Sequence, residues 1–478
     1  MKRKNLRYLL LPLPLLAGCV FADPAPEPEL DLEIPASWGS SSPDGDVRGR
    51  WWFSFEDPQL NDLIRNALAD NRALHARAEG VRAALSAAEI AGADRAPQSS
   101  AGVNGLRQKQ VLIGLPIPGA SRPITTRSTS YGASLDISWE LDLWGKLVAR
   151  AGAGQAEFEA SLLEYHASAL SLIAQVAKSW FALREGQAQL QLAQRSLSTW
   201  EKGLEIVRDR YQRGLVPALD LSLTESLLHS AQAALQLRER QCDASRRSLQ
   251  LLVGHYPNAK LEGEASLPAL PTAPPAGLPM EILDRRPDLR AARTQLLALR
   301  YHASEAEASL YPNLSLTASV GTRSDALKDL IDGNFSVWSI LGRIVQPIYQ
   351  GGRLRAHLAL REARVRESAE RFADLVLRAC AEVEHSLAAE EHFRKEIEAH
   401  GKALAAARSG QELALDRYCN GRLDVLTLLD AQRKAFTAES LLLQTQRLAL
   451  QNRIDLHLAL GGDLAATSPV PPEEATSR

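Results

Sequence analysis

The sequence predicts an α+β fold made of two internal repeats, each joining a β-hairpin to a long coiled-coil helical hairpin. Three observations carry this expectation. Arg210-Tyr211 recurs as Arg417-Tyr418 and Gly145-Lys146 as Gly352-Arg353, both 207 residues further on; Leu74 and Pro97 recur as Leu289 and Pro312, both 215 further on. Offsets matched over such distances mark a duplicated unit. Tyr131, Ala133, Leu135, Ile137, Trp139, Leu141 and Leu143 alternate with Gly132, Ser134, Asp136, Ser138, Glu140 and Asp142, the period of a strand with one apolar face. Leu190, Ala193, Leu197, Trp200, Leu204, Val207 and Tyr211 are spaced alternately three and four apart, the seam of helices packed as a coiled coil.

Composition agrees. The chain is 45% hydrophobic but only 5% aromatic, and its runs of Ala, Leu, Glu, Gln and Arg suit long helices. A net charge of −2 over 478 residues gives no electrostatic reason to expect nucleic acid. After the N-terminus no apolar run reaches the ~18 residues of a membrane helix.

In chain order, residues 1–18 read as an export signal: Lys2, Arg3, Lys4 and Arg7, then the apolar Leu9–Leu16. Leu16-Ala17-Gly18-Cys19 resembles the lipobox of bacterial lipoproteins, which implies acyl chains on Cys19. The other reading is an ordinary signal peptide with an incidental cysteine. Val20, rather than Asp, follows; by the lipoprotein sorting pattern this favours the outer membrane. Residues 19–50, rich in Pro and acids, read as an extended tether.

The first repeat spans residues 51–253. Asp57-Pro58 is a cap-and-start signal for a helix running to about Ala96 and broken by Pro97. Strands are expected near Ser99–Ile113 and over Tyr131–Leu143, with a loop tip at Gly114–Pro123. A helix then runs from Gly145-Lys146 to Arg213, turns at Gly214, and returns through Leu219–Val253. Residues 254–287, dense in proline, read as a linker. The second repeat, residues 288–462, places strands at Leu314–Val320 and Phe335–Pro347 around a loop at Arg323–Gly333, and its helical turn at Gly421. A second seam is expected through Leu426, Leu429, Arg433, Phe436, Ser440 and Leu443. Residues 463–478 read as a disordered tail. Cys242, Cys380 and Cys419 have no metal-ligand spacing and read as small buried residues.

Four strands with one apolar face cannot close a barrel, and an open sheet edge in lipid leaves backbone groups without partners. Two copies would give eight strands with a filled interior; three would give twelve and a passage. The residues alone call for an oligomer and leave its number open.

The duplicated unit, with Trp139-Glu140-Leu141-Asp142-Leu143-Trp144-Gly145-Lys146, Gln346-Pro347-Ile348-Tyr349-Gln350-Gly351-Gly352-Arg353 and Leu426–Arg433, resembles the TolC-type outer membrane factors, and among them the lipoprotein branch of drug-efflux outlets. The resemblance runs from about Trp51 to Gly462. It implies a homotrimer whose shared twelve-stranded membrane β-barrel continues as a helical periplasmic tunnel. It also implies a periplasmic adaptor, an inner-membrane pump, outer membrane lipid around the barrel and small-molecule substrates.

Within that resemblance, Leu426-Thr427-Leu428-Leu429-Asp430-Ala431-Gln432-Arg433 matches the segment that constricts the periplasmic mouth. Leu426, Asp430 and Arg433 share one helical face. In a trimer they would form an apolar ring beside a carboxylate ring; the alternative is a solvated face with a local Asp430–Arg433 pair. In the first repeat Leu219, Leu223 and Ser226 hold these positions. The turns themselves rest on Gly214 with Tyr211 and Gly421 with Tyr418. Nothing points to an enzyme, a cofactor or a metal: there is no Gly-rich phosphate loop, metal cluster or activated nucleophile. A protein-secretion duct and a lipid-anchored periplasmic scaffold are the other readings.

Overall fold

The computed structural model describes residues 23–28, 35–39, 50–112 and 124–462. Cys19, the export signal, the loop tip at 114–123 and the C-terminal tail lie outside them. In chain order, a 3-10 turn Trp51–Phe55 precedes α1 (Pro58–Asp70) and α2 (Arg72–Ala93). Then come β1 (Gln98–Leu112), β2 (Ile124–Leu141), α3 (Lys146–Gln212) and α4 (Ala218–Val253). The second half runs α5 (Ile282–Arg285), α6 (Pro287–Ala308), β3 (Asn313–Ser324), β4 (Ser336–Val345), α7 (Arg353–Cys419) and α8 (Val425–Ala459).

The duplication is visible in these bounds. Helices α3 and α7 are both 67 residues long and begin 207 positions apart; α2 and α6 are both 22 residues long and begin 215 apart. Among the described residues no helix is long and apolar enough to cross a membrane.

Two compact units divide the chain. Among the described residues, one contains 85–112, 124–157 and 296–367, the other 35–39, 50–84, 158–295 and 368–462, so that α2, α3, α6 and α7 contribute to both. The first unit holds the sheet, a single antiparallel meander in the order β1-β2-β3-β4. Its central pair, β2 with β3, joins the two repeats, and β1 and β4 are the edges. Trp144 Nε1 donates to the Pro312 carbonyl at 2.8 Å and Trp139 Nε1 to the Arg95 carbonyl at 3.0 Å. Arg150 on α3 donates to Asp94 and to Glu305 on α6, both at 2.8 Å. These contacts anchor the helix ends beside the strands.

The second unit packs a core of Trp51, Trp52, Phe55, Leu60, Ile64, Ile173, Trp180, Phe181, Leu249 and Ile454. Asp57 is its polar pivot. One carboxylate oxygen caps α1 by accepting from the Leu60 amide at 3.1 Å; the other accepts from Trp180 Nε1 at 2.7 Å and from Arg184 at 2.5 Å. A buried guanidinium needs every donor satisfied, and Arg184 also donates to the Ser266 carbonyl.

Three expectations need correction. The single helix expected from Asp57-Pro58 to Ala96 is two. Asn71 is extended, accepts from the Leu74 amide at 2.9 Å as the cap of α2, and donates to the Leu252 carbonyl at 2.8 Å; its side chain offers the backbone an alternative to the helix. The strand expected at Tyr131–Leu143 starts at Ile124 and stops at Leu141, because Asp142 leaves the ladder to accept from the Val148 amide at 2.8 Å at the start of α3. The loop at Arg323–Gly333 contains the end of β3 and a 3-10 turn, Leu327–Ile331. The linker ends in helix α5, and its carbonyls at Ser266, Pro271 and Gly277 accept from Arg184, Arg453 and Trp38.

Candidate channel gate and membrane face

The two helical turns close in the same way. After α3, Gly214 has φ 71°; its amide donates to the Tyr211 carbonyl at 2.9 Å and the Leu215 amide to the Arg210 carbonyl at 2.9 Å. After α7, Gly421 has φ 68°; its amide donates to the Tyr418 carbonyl at 3.0 Å and the Arg422 amide to the Arg417 carbonyl at 2.8 Å. These paired bonds satisfy the last helical carbonyls around a left-handed residue, which is why glycine stands at both positions.

Side chains then break the equivalence. Tyr418 is 2% exposed and packs with Trp200, Val207, Val425, Leu428 and Leu429, whereas Tyr211 is 42% exposed. Arg210 stacks its guanidinium 4.3 Å from the Tyr418 ring and donates to the carbonyls of Tyr418 and Cys419 at 2.8 and 3.0 Å. A cation at the C-terminus of α7 meets its dipole favourably. Burial pushes the Tyr418 phenol pKa up, opposed by Arg210.

Pro217 precedes α4 without a side-chain cap, while Asp424 caps α8 by accepting from the Thr427 amide at 2.7 Å and the Thr427 hydroxyl at 2.9 Å. Those bonds, the amide's first, hold the Asp424 carboxyl below the usual carboxylate range.

Leu426, Asp430 and Arg433 lie together on α8, away from this cluster. Leu426 is 53% exposed and Arg433 is exposed, while Val425, Leu428, Leu429, Gln432 and Ala435 turn into the chain. The seam expected through Leu426, Leu429 and Arg433 is therefore displaced: only Leu429 of those three is buried, and the packed stripe runs through its neighbours. Asp430 accepts from Arg433 at 2.6 Å, as the local-pair reading expects, and also from Lys434 at 2.8 Å. Lys434, then Arg433, holds its carboxyl below the usual range. Leu219, matching Leu426, is exposed too. Cys419 is exposed rather than buried, Cys380 half-buried and Cys242 buried.

Sequence reasoning assigned no role to Arg210, Asp424 or Lys434. Asp424 had a readable signal, a capping residue just before an apolar run. Lys434 had one too, four residues beyond Asp430. Arg210 had none, because its partner lies 208 residues away.

The sheet supplies the second surface. Its register aligns Leu135 with Val320 and Trp338, Ile137 with Ala318 and Ile340, and Leu141 with Leu314 and Ile344, all on one face; Ala101 and Val103 of β1 pair with Leu135 and Ala133 on that face. The opposite face carries Ser134, Asp136, Ser138, Ser315, Thr317, Ser319, Ser339 and Arg343, together with Val337 and Leu341 of β4. Leu135, Ile137, Val320, Trp338, Ile340 and Ile344 are all exposed in the single chain.

A family model described as outer membrane efflux protein matches residues 63–255 and 278–462. The chain belongs to the outer membrane efflux protein family. It is 31% identical over 455 residues to the probable efflux pump outer membrane protein SepC of Pseudomonas putida, an alignment covering 95% of this chain and 92% of that one. It is 32% identical over 467 residues to the pyoverdine export outer membrane protein OpmQ of P. putida, covering 96% and 98%. Among solved structures, the outer-membrane channel OprN superposes with a TM-score of 0.83 at 25% identity, covering 92% of this chain and 99% of that one. This outer membrane efflux protein thus has the α+β fold of an outer membrane channel.

Proposed function

We propose that three copies of this chain form the outer membrane outlet of a tripartite efflux system, passing small organic molecules from an inner-membrane pump and periplasmic adaptor to the exterior. One observation carries the reading: among the described residues the sheet is open, apolar on one face, and unpaired along the outer edges of β1 and β4. A membrane-spanning sheet must close on itself. Three chains of four strands make twelve, enough to enclose a passage. The efflux and pyoverdine export named for the two relatives support a small-molecule cargo. Acyl chains on Cys19 would add a second hold on the membrane, each buried CH₂ contributing about 0.8 kcal/mol. The mass of the mature N-terminus reads this: an unmodified residue, or a start beyond Cys19, removes the lipid from the proposal.

The gate of that outlet is the α8 face of Leu426, Asp430 and Arg433. Threefold symmetry would set Leu426 and Asp430 in rings around the axis, with Asp430 screened by Lys434 and Arg433. Arg210 holds the last turn of α7 against α3, and so fixes where α8 begins. The test is single-channel conductance in planar bilayers. Leu426→Ala combined with Asp430→Ala should raise conductance severalfold while the trimer persists, and Leu219→Ala with Leu223→Ala should not widen the pore. A double variant that assembles and conducts like wild type would place the gate elsewhere.

A further inference from the structure

We infer that the outward face of the β1–β2 hairpin, just beyond the apolar band, binds the phosphate groups of an outer-leaflet lipid of the outer membrane through Arg107, Lys109 and Arg127. The inference rests on the outlet reading, in which the apolar face of the sheet meets lipid and the hairpin tips face the exterior.

Register places the three cations. Paired residues share a face, and the pairs run Leu135 with Ala101, Ala133 with Val103, Tyr131 with Gly105, Arg107 with Thr129, and Lys109 with Arg127. The apolar face therefore ends at Tyr131, where pairing of β2 with β3 also ends, and becomes cationic within the next four residues. At ~3.4 Å per residue, Arg127 lies about 14 Å along the strand from Tyr131. Charges on the lipid side of a barrel strand are costly at the bilayer midplane and nearly free at its surface. An aromatic residue followed by outward cations is the order expected where hydrocarbon gives way to headgroups.

Among the described residues the cluster also has no carboxylate partner. Arg107, Lys109 and Arg127 are exposed. From Gln98 to Leu135 the sequence contains no Asp or Glu, yet it holds Arg107, Lys109, Arg122 and Arg127. The whole chain has 57 acids against 55 Lys and Arg, so this segregation is local. Lys109 and Arg127 stand directly opposite each other, and like charges so placed repel. A phosphate between them removes the repulsion and takes charge-assisted bonds from the guanidinium. The neighbouring apolar band covers the acyl chains of the same lipid. A phosphorylated glycolipid such as lipid A offers both parts.

The experiment uses the full-length assembled protein extracted in detergent, with native mass spectrometry reading retained lipid. Wild type is challenged with diphosphorylated lipid A, dephosphorylated lipid A and inorganic phosphate, alongside the triple variant Arg107→Gln, Lys109→Gln, Arg127→Gln. Arg323→Gln, on the opposite face of β3, is the control. Diphosphorylated lipid A should be retained by wild type and the control at least tenfold better than by the triple variant, and the dephosphorylated form should not distinguish them. Equal retention by the triple variant, or no preference of wild type for the phosphorylated form, overturns the inference. So does displacement of the lipid by millimolar inorganic phosphate, which would make the occupant a free anion. Circular dichroism and oligomer mass on the same samples separate the two readings. An assembled membrane oligomer without lipid A preference sinks the lipid site alone, and failure of wild type to assemble in membranes sinks the outlet.

Discussion

At the scale of single residues, His457 shows how burial sets a pH response. Its ring stacks on Trp51 with centroids 5.2 Å apart and planes 11° from parallel, and neither ring nitrogen has a hydrogen-bond partner among the described residues. Burial first, and then the charge of Arg453, pushes its pKa down from 6.5 to about 3. The folded state therefore excludes a proton that the unfolded chain accepts. The stabilising contribution is complete above pH 6.5 and is lost progressively as pH falls from there toward 3. Between pH 7.5 and 5 this amounts to ~2 kcal/mol. His457→Phe keeps the stack and removes the titration, so its thermal midpoint, followed by helical circular dichroism, should fall less on acidification than that of wild type. Equal acid sensitivity would show that the buried imidazole is not responsible.

At the scale of elements, the two repeats can be compared through their turns. A Cβ at Gly214 or Gly421 would meet no atom within 4 Å, so substitution there costs backbone strain alone. Gly214→Ala and Gly421→Ala should each destabilise by about 1–2 kcal/mol. Gly401, inside α7, also has open space around it and carries no positive φ. Gly401→Ala should therefore stabilise by about 0.5–1 kcal/mol. Denaturant midpoints of the three variants check the signs; a loss at Gly401 as large as at the turns would mean that packing, not backbone conformation, governs these positions. Both turns were legible because glycine's conformational freedom is a local property. The break at Asn71 was not, because the bond to the Leu252 carbonyl that stabilises it comes from 181 residues away.

For the whole molecule, the face of the sheet decides the membrane reading. Arg at Leu135 or Ile137 would stand in hydrocarbon at a cost of about 2–4 kcal/mol near the midplane. Arg at Ser134 or Asp136 would stand among the polar side chains of the other face. The expected result is a sharp fall in membrane-inserted oligomer, assayed by heat-modifiable gel mobility, for the first pair and near-normal recovery for the second. Equal losses on both faces would mean that the sheet does not divide lipid from lumen.

Residues of this chain determined by themselves whatever rests on short-range rules. These are the alternation over Tyr131–Leu143 and Leu314–Val320, the glycines at the turns and the matched offsets that mark the duplication. The tertiary structure decided which of two like residues is used. Tyr418 and Tyr211 occupy equivalent positions in sequence, yet only Tyr418 is buried, because Arg210 and the cluster of Trp200, Val207 and Leu428 converge on it. The seam of α8 shifted for the same reason: Leu426 and Leu429 are equally apolar, and only contact with the neighbouring helices determines which one turns inward. Pairing of β2 with β3 across the repeats likewise needed the fold, since backbone hydrogen bonds between distant strands leave no local mark in either sequence.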